Sequence, residues 1–251
     1  MDQTIKRRAF IIAHKYFRGY TSFLSYYIDN ITKFHPDSLI LVVDNNSSYT
    51  EDVFPQLEKN ENVVLLTNNI DCKFELGAYQ VGIKYLLDNN LLDTIDYVFM
   101  TQDTFVLKNK IDIESLKAAN VLACPINSYY QDGAYQEIST EVLTKLGLNN
   151  HLDKMTFCWC CSLLVHTTKI MQFYNYITQI VITVRAQSEA AERYLARILF
   201  ELNEHRNHDI DGDIRNLTNK YDCWKVDIIN DNVSSYFAKT PQQKTEATRD
   251  R

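Results

Sequence analysis

The chain has 251 residues, 45% of them hydrophobic, with a formal net charge of -6 and only six glycines and four prolines. This composition supports a substantial core, and with no Gly/Ser- or Pro-rich linker to divide it the chain reads as one domain. The negative charge argues against a nucleic-acid surface that works by phosphate neutralisation, while a small anion held by a helix N-terminus and one or two cations stays open.

The apolar runs, such as Ile11 to Ala13 and Leu39 to Val43, are far too short to span a bilayer. Met1 to Arg8 is polar and basic, and the apolar segment after it covers only about five residues, short of a signal-peptide core. The expected setting is therefore cytoplasmic, with the six cysteines as reduced thiols. Cys158 and Cys161 have C-x-x-C spacing, but no second such pair completes a zinc site, so they read as buried thiols on a strand.

Taken in order, Ala9–Ala13 predicts a first strand running into His14-Lys15, and Tyr20–Phe34 a helix with apolar residues at Phe23, Leu24, Tyr27, Ile28 and Ile31. Ser38–Val43 predicts a second strand that ends at Asp44-Asn45-Asn46-Ser47, and Glu51–Lys59 a short helix. A third strand is expected over Asn62–Leu66, ending at Thr67-Asn68-Asn69. A helix over Gly77–Leu87 follows, with Tyr79, Ile83, Leu86 and Leu87 inward, and a fourth strand over Tyr97–Met100 ends at Thr101-Gln102-Asp103. Strand and helix alternate at roughly 25–35 residues per unit, which predicts a largely parallel sheet covered by helices. Ligands on such sheets gather at the C-terminal strand ends, and here four polar tips share that rim: His14, Asp44 to Ser47, Asn68-Asn69 and Gln102-Asp103.

After Leu107 the pattern loosens. Ile113–Ala119 reads as a helix and Val121–Pro125 as a strand. Asn127–Gln136 reads as a polar, tyrosine-rich loop, mobile or substrate-contacting, and Thr156–Val165 as one strand. Helices are expected over Thr168–Ile177 and Ser188–Leu202, the latter with Ala191, Tyr194, Leu195, Ile198, Leu199 and Leu202 on one face. The polar tail from Lys239 to Arg251 reads as disordered.

A strand ending in D-N-N-S, a short helix, an N-x(n)-G-A-x-x-x-G segment and a strand reading Y-V-x-x-x-x-D make an ordered set. From about Ala9 to Leu107 this set resembles the nucleotide-sugar-binding half of GT-A glycosyltransferases, most closely the family-2-like, inverting branch. The resemblance implies an α/β, Rossmann-like, mostly parallel sheet in a single domain over residues 1–238, with an acceptor half after residue 107. It places Asp44 at the nucleobase, with Asn45 following it, and Ala13 and His14 in the adjoining loop. The segment from Asn69 to Gln80 would lie over ribose and phosphates, with Lys73 offsetting charge, Gly77 admitting the ligand and Gln80 contacting it. An Asx turn at Asp44 and a helix-start position at Gly77 are the structural alternatives.

The family usually carries Asp-x-Asp where this chain has Thr101-Gln102-Asp103. The resemblance therefore leaves Asp103, beside Gln102, to hold Mn²⁺ or Mg²⁺ with water and phosphate oxygens as the other ligands. Asp211-Gly212-Asp213 follows no buried strand and reads as a turn, although His208 or Asp211 would approach the nucleotide if the C-terminal segment closes over it. The family's general base near a helix start matches Glu192, with Glu189 second, in the first turn after a Ser188 cap; Arg193 adjoins it, and Trp159 would stack on an acceptor sugar. Implied is transfer of a sugar from a nucleotide-diphosphate donor to a hydroxyl of a glycan or other acceptor. Loss of the first acid raises the alternative of a degenerate binding module. A nucleotidyltransferase would need a glycine-rich basic loop after the first strand, where Ala13 to Gly19 supplies a single glycine.

Overall fold

The computed structural model describes residues 7–16, 23–47, 54–57, 60–129, 135–148, 157–212 and 235–239. In chain order the elements are β1 (Arg7–His14), α1 (Leu24–Phe34), β2 (Leu39–Asp44), α2 (Phe54–Leu57), β3 (Val63–Thr67) and α3 (Phe74–Asp88). Next come β4 (Ile95–Gln102), β5 (Phe105–Leu107), α4 (Ile113–Ala118), β6 (Ala123–Pro125), β7 (Ser128–Tyr129) and α5 (Gln136–Lys145). The last are β8 (Phe157–Cys158), β9 (Leu163–His166), α6 (Thr167–Ile177), α7 (Arg185–Leu202) and β10 (Phe237–Lys239).

Six strands form one sheet in the order β3-β2-β1-β4-β9-β6. The first four in that order are mutually parallel, and β9 runs antiparallel between β4 and β6. The expected α/β architecture, a mostly parallel sheet flanked by helices, is what the chain adopts. Alternation along β1 feeds two cores. Ile11 and Ala13 face a cluster with Tyr79, Ile83, Met100, Tyr194 and Ile198, whereas Phe10 and Ile12 face one with Leu24, Tyr27, Ile28 and Phe99. A strand buried on both faces is apolar throughout, as AFIIA is.

Several elements differ from expectation. The single strand expected over Thr156–Val165 is broken into β8, a short turn at Trp159–Cys161, and β9. Cys160 and Cys161 both sit at φ 52, a left-handed conformation uncommon for cysteine. Helix α7 begins at Arg185 rather than Ser188, because Gln187 Oε1 accepts from the Thr183 N–H at 2.9 Å and the Val184 N–H at 3.3 Å and so caps the helix start. Helix α5 went unpredicted. Of the expected polar loop, residues 130–134 lie outside the described residues, as do parts of the Tyr20–Phe34 and Glu51–Lys59 helices. The expected tail overlaps the structure at Lys239, which belongs to β10, and the rest lies outside the described residues.

Asp213 lies outside the described residues, while Asp211, at a bend in the chain, fastens this last strand. Its Oδ1 accepts the Tyr236 N–H and its Oδ2 the Phe237 N–H, both at 2.7 Å. Burial pushes its carboxyl up to about 6 despite these bonds. Among the described residues, no helix is long and apolar enough to cross a membrane.

His35, 3% exposed, closes α1 and accepts the Ile111 N–H at Nε2, 3.2 Å. Burial, with the nearby charges of Arg8 and Lys110, lowers its pKa from 6.5 to about 4. The unfolded chain therefore binds a proton between pH 6.5 and 4 that the folded chain refuses. Its contribution to stability is complete above pH 6.5 and lost as pH falls towards 4, on the order of 3 kcal/mol at most. In urea unfolding compared at pH 7 and pH 5, the wild type should lose more stability than His35→Gln; equal losses would refute the assignment.

Candidate active site

A cavity of about 800 Å³ opens at the C-terminal ends of β1 and β4, bounded by the first turns of α3 and α7. Of the residues singled out from sequence, Ala13, His14, Asn45, Lys73, Gln102, Asp103 and Glu192 line it, and Glu189 does so as well. Lys15, Glu75, Cys160, Arg185 and Ser188 join them.

The rim is organised by strand register. Ala13 lies opposite Gln102 across the β1–β4 ladder, and the Asp103 N–H continues the ladder to Ala13 O at 3.0 Å. This holds Asp103 over the tip of β1, where its Oδ2 accepts from His14 Nδ1 at 2.7 Å and from the Lys15 N–H at 3.1 Å. His14 is 1% exposed, and its Nε2 is buried without a hydrogen-bond partner among the described residues. Leaving a buried polar atom unmet costs about 1–3 kcal/mol.

On the α3 side, Lys73 precedes the helix and Glu75 sits in its first turn. Lys73 Nζ donates to Ile70 O at 2.8 Å. Glu75 is the acid that sequence reasoning missed. Its Oε1 accepts from Gln102 Nε2 at 2.5 Å and its Oε2 from Ser188 Oγ at 2.9 Å, so it joins α3, β4 and α7. The available signal was an acid in the first turn of a helix that starts at Phe74 rather than Gly77.

The α7 wall carries Glu189 and Glu192. Glu192 lies two turns into α7 rather than in its first turn, with Oε2 accepting from Tyr129 OH at 2.9 Å and Oε1 from the Cys160 N–H at 2.8 Å. The left-handed turn at Cys160 is thus what directs a backbone N–H at Glu192. Hydrogen bonds from Tyr135 OH and Arg185 Nε hold Glu189 below the usual carboxylate range.

Six of the singled-out residues do not line the cavity. Asp44 is buried and forms the turn alternative, accepting from both the Ser47 N–H and Ser47 Oγ. Asn69 is exposed, while its neighbour Asn68 is buried and donates to Asn45 Oδ1 at 2.7 Å and Cys72 O at 2.9 Å. Gln80 spends its amide on Ile177 O and Ile180 O, binding α3 to the end of α6. Trp159 packs edge-on against Phe105, and Arg193 is buried with its guanidinium over the Phe157 ring. Gly77 makes its close approach to the chain itself, since a Cβ there would lie 2.0 Å from Cys72 O and 2.5 Å from Asn68 Nδ2. Cys158 and Cys161 are buried, and burial raises both thiols well above their ordinary range.

Among the described residues, no three His, Cys, Asp or Glu side chains gather as a metal site. Asp103 has one oxygen to offer, because Oδ2 serves His14 and Lys15 while Oδ1 receives no hydrogen bond from the described residues. A hard cation at this point would have one carboxylate oxygen from the protein, and the rest of its shell would have to come from ligand and water.

No family model and no curated protein matches the sequence. Among solved structures, the chain is similar to the mannosyltransferase Ktr4p from S. cerevisiae in complex with GDP, at 10% identity and TM-score 0.45, over 83% of this chain and 70% of that one. It is also similar to 4-diphosphocytidyl-2C-methyl-D-erythritolsynthase from Anaerococcus prevotii DSM 20548, at 14% identity and TM-score 0.47, over 83% of this chain and 88% of that one. Likenesses at this level concern the path of the chain and say nothing about its activity.

Gly77→Ala should destabilise the protein by about 2 kcal/mol or more in thermal or urea unfolding, despite alanine's better helix propensity, because backbone must move. A variant as stable as the wild type would show that the helix start has room to spare, and would return Gly77 to the ligand-admitting role.

Proposed function

We propose that the chain is a nucleotide-sugar-dependent glycosyltransferase of GT-A type that moves a sugar to an acceptor hydroxyl with inversion. The observation that most supports this is the pairing of opposite chemistries in one cavity. Lys15 and Lys73 stand beside the strand tips and the first turn of α3, while the carboxylate of Glu192 faces the same space from α7. Two basic side chains and a helix N-terminus, which carries about half a positive charge, suit a diphosphate. A carboxylate across the cavity suits removal of a proton from an incoming hydroxyl.

In this reading the acceptor oxygen attacks the anomeric carbon from the side opposite the diphosphate. The new C–O bond forms as the bond to the phosphate oxygen breaks, the electron pair leaves with the diphosphate, and Glu192 takes the hydroxyl proton. Tyr129 OH and the Cys160 N–H hold that carboxylate in one orientation. Lys73 and Lys15 bind the leaving group. Mn²⁺ or Mg²⁺, when bound with the nucleotide, would be held by Asp103 and would neutralise charge on the diphosphate.

A second reading, a nucleotide-sugar-binding module without turnover, draws on the commitments of the acids. Both oxygens of Glu192 and one of Asp103 already accept hydrogen bonds. Two measurements separate the readings. UDP or GDP should raise the melting temperature, and Glu192→Gln should keep nucleotide affinity within about twofold while transfer falls by about 10²–10⁴. Absence of any nucleotide shift would sink both readings. Binding without turnover across a broad acceptor panel would select the second.

A further inference from the structure

The connector between α6 and α7 is shared by two cavities. Thr183 lines the one already described, whereas Ile180, Val181 and Ile182 line a second, of about 170 Å³, that α5 and α7 complete. The inner end of this second cavity is apolar, with Ile180, Ile182 and Tyr194 buried there and Val142 of α5 half-buried. Its exposed lining residues mark a polar mouth: Gln179, with Glu141 and Lys145 four residues apart on α5. An acid and a base at that spacing on a helix commonly pair with each other. Here they do not. Lys145 Nζ donates to Gln179 O at 3.1 Å, and Glu141 has no ion-pair partner among the described residues.

An apolar floor beneath one carboxylate and one ammonium matches a particular class of small molecule. An α-amino acid carries the complementary ammonium and carboxylate on one carbon, with its side chain directed away from both. A cavity of about 150 Å³ holds benzene, so this one admits a leucine side chain or a phenylalanine ring. We propose that the second cavity binds an α-amino acid with a large apolar side chain, its ammonium at Glu141 and its carboxylate at Lys145. The side chain lies against Ile180 and Ile182. Such a ligand also bears on the main cavity. Ile182 O accepts the Lys73 N–H at 2.7 Å, and the Ile182 N–H donates to Cys72 Sγ at 3.4 Å. Packing on Ile182 is therefore felt at Lys73, which lines the main cavity. Binding of the amino acid needs no nucleotide, while its effect on the main cavity rests on the nucleotide-sugar reading.

The experiment is a chemical-shift titration of the full chain, without nucleotide, with L-phenylalanine, L-leucine, glycine, 3-phenylpropionate and 2-phenylethylamine. We expect L-phenylalanine or L-leucine to bind with a dissociation constant on the order of 1 mM, from one buried apolar side chain and two exposed ion pairs. Glycine should show no saturable binding. 3-Phenylpropionate lacks the ammonium and 2-phenylethylamine the carboxylate, and each should bind about fivefold more weakly than phenylalanine. Glu141→Gln should weaken phenylalanine by the same factor and leave 3-phenylpropionate unchanged. Val142→Phe, which fills the apolar end, should abolish binding. Should that variant fail to fold, Glu141→Gln, at an exposed position, still decides. Absence of binding by both amino acids, or analogues that bind as well as phenylalanine, would overturn the site. With the site filled, UDP affinity should change by about fivefold or more. No change would overturn the link to the main cavity. UDP that binds under neither condition would count against the nucleotide-sugar reading and leave the amino-acid site standing on its own titration.

Discussion

β1 has no solvent face, and everything at the rim follows from that. It is bonded to β2 on one side and β4 on the other, with Phe10 and Ile12 committed to one core and Ile11 and Ala13 to the other. A strand so enclosed cannot slip by one residue without exchanging its two side-chain sets between cores of different shape. Its register therefore fixes the registers of β2 and β4, placing His14 opposite Asp44 and Ala13 opposite Gln102. The polar residue at the tip, His14, is still buried, and the cavity opens around it.

Glu189 at the rim is paired with Arg185, while the other acids there are held largely by hydrogen bonds. Glu75 is met by an amide and a hydroxyl, Glu192 by a phenol and a backbone N–H, and Asp103 by an imidazole and a backbone N–H. Charged groups taken out of water need such partners, since an unmet one is too costly to retain. A hydroxyl, amide or backbone N–H satisfies a carboxylate without cancelling its charge. The wall thus keeps its field while its geometry is held from three directions: α3, α7 and the sheet. The left-handed pair at Cys160 and Cys161 belongs to this arrangement, because it turns one N–H out of the β8–β9 path and towards Glu192.

The sequence made the sheet legible because buried parallel strands are apolar runs with polar ends, and four of them precede Leu107. Asp103, His14 and Lys73, polar residues at strand tips and a helix start, were legible as residues that line the cavity, and Glu192 lines it although it lies two turns into α7. What stayed hidden depended on contacts remote in sequence. Gln80 looks like a surface amide until α6 is placed against α3, and Arg193 looks like a site cation until Phe157 lies beneath it. Glu75 escaped because the start of α3 was read three residues late. Gly77 was noticed for a true reason, a close backbone approach, but the partner is the loop at Cys72 rather than a ligand.

Thr101 shows most plainly how a motif changes meaning once a strand has faces. On sequence it stands where a second acid would be expected, which suggests a site with something missing. In the sheet, however, Thr101 lies opposite Ile12, on the α1 side, wholly buried, with its hydroxyl 2.9 Å from Tyr27 OH. A carboxylate there would enter an aromatic core rather than the cavity and would have to displace the Tyr27 contact. The cavity-facing position is Gln102, whose amide is drawn to Glu75, and Asp103 lies past the end of the strand, where it reaches the tip of β1. The triplet is therefore a strand end whose alternation has given threonine to the core, glutamine to α3 and aspartate to His14. The threonine at its first position thus follows from packing, at a face that could not accommodate an acid.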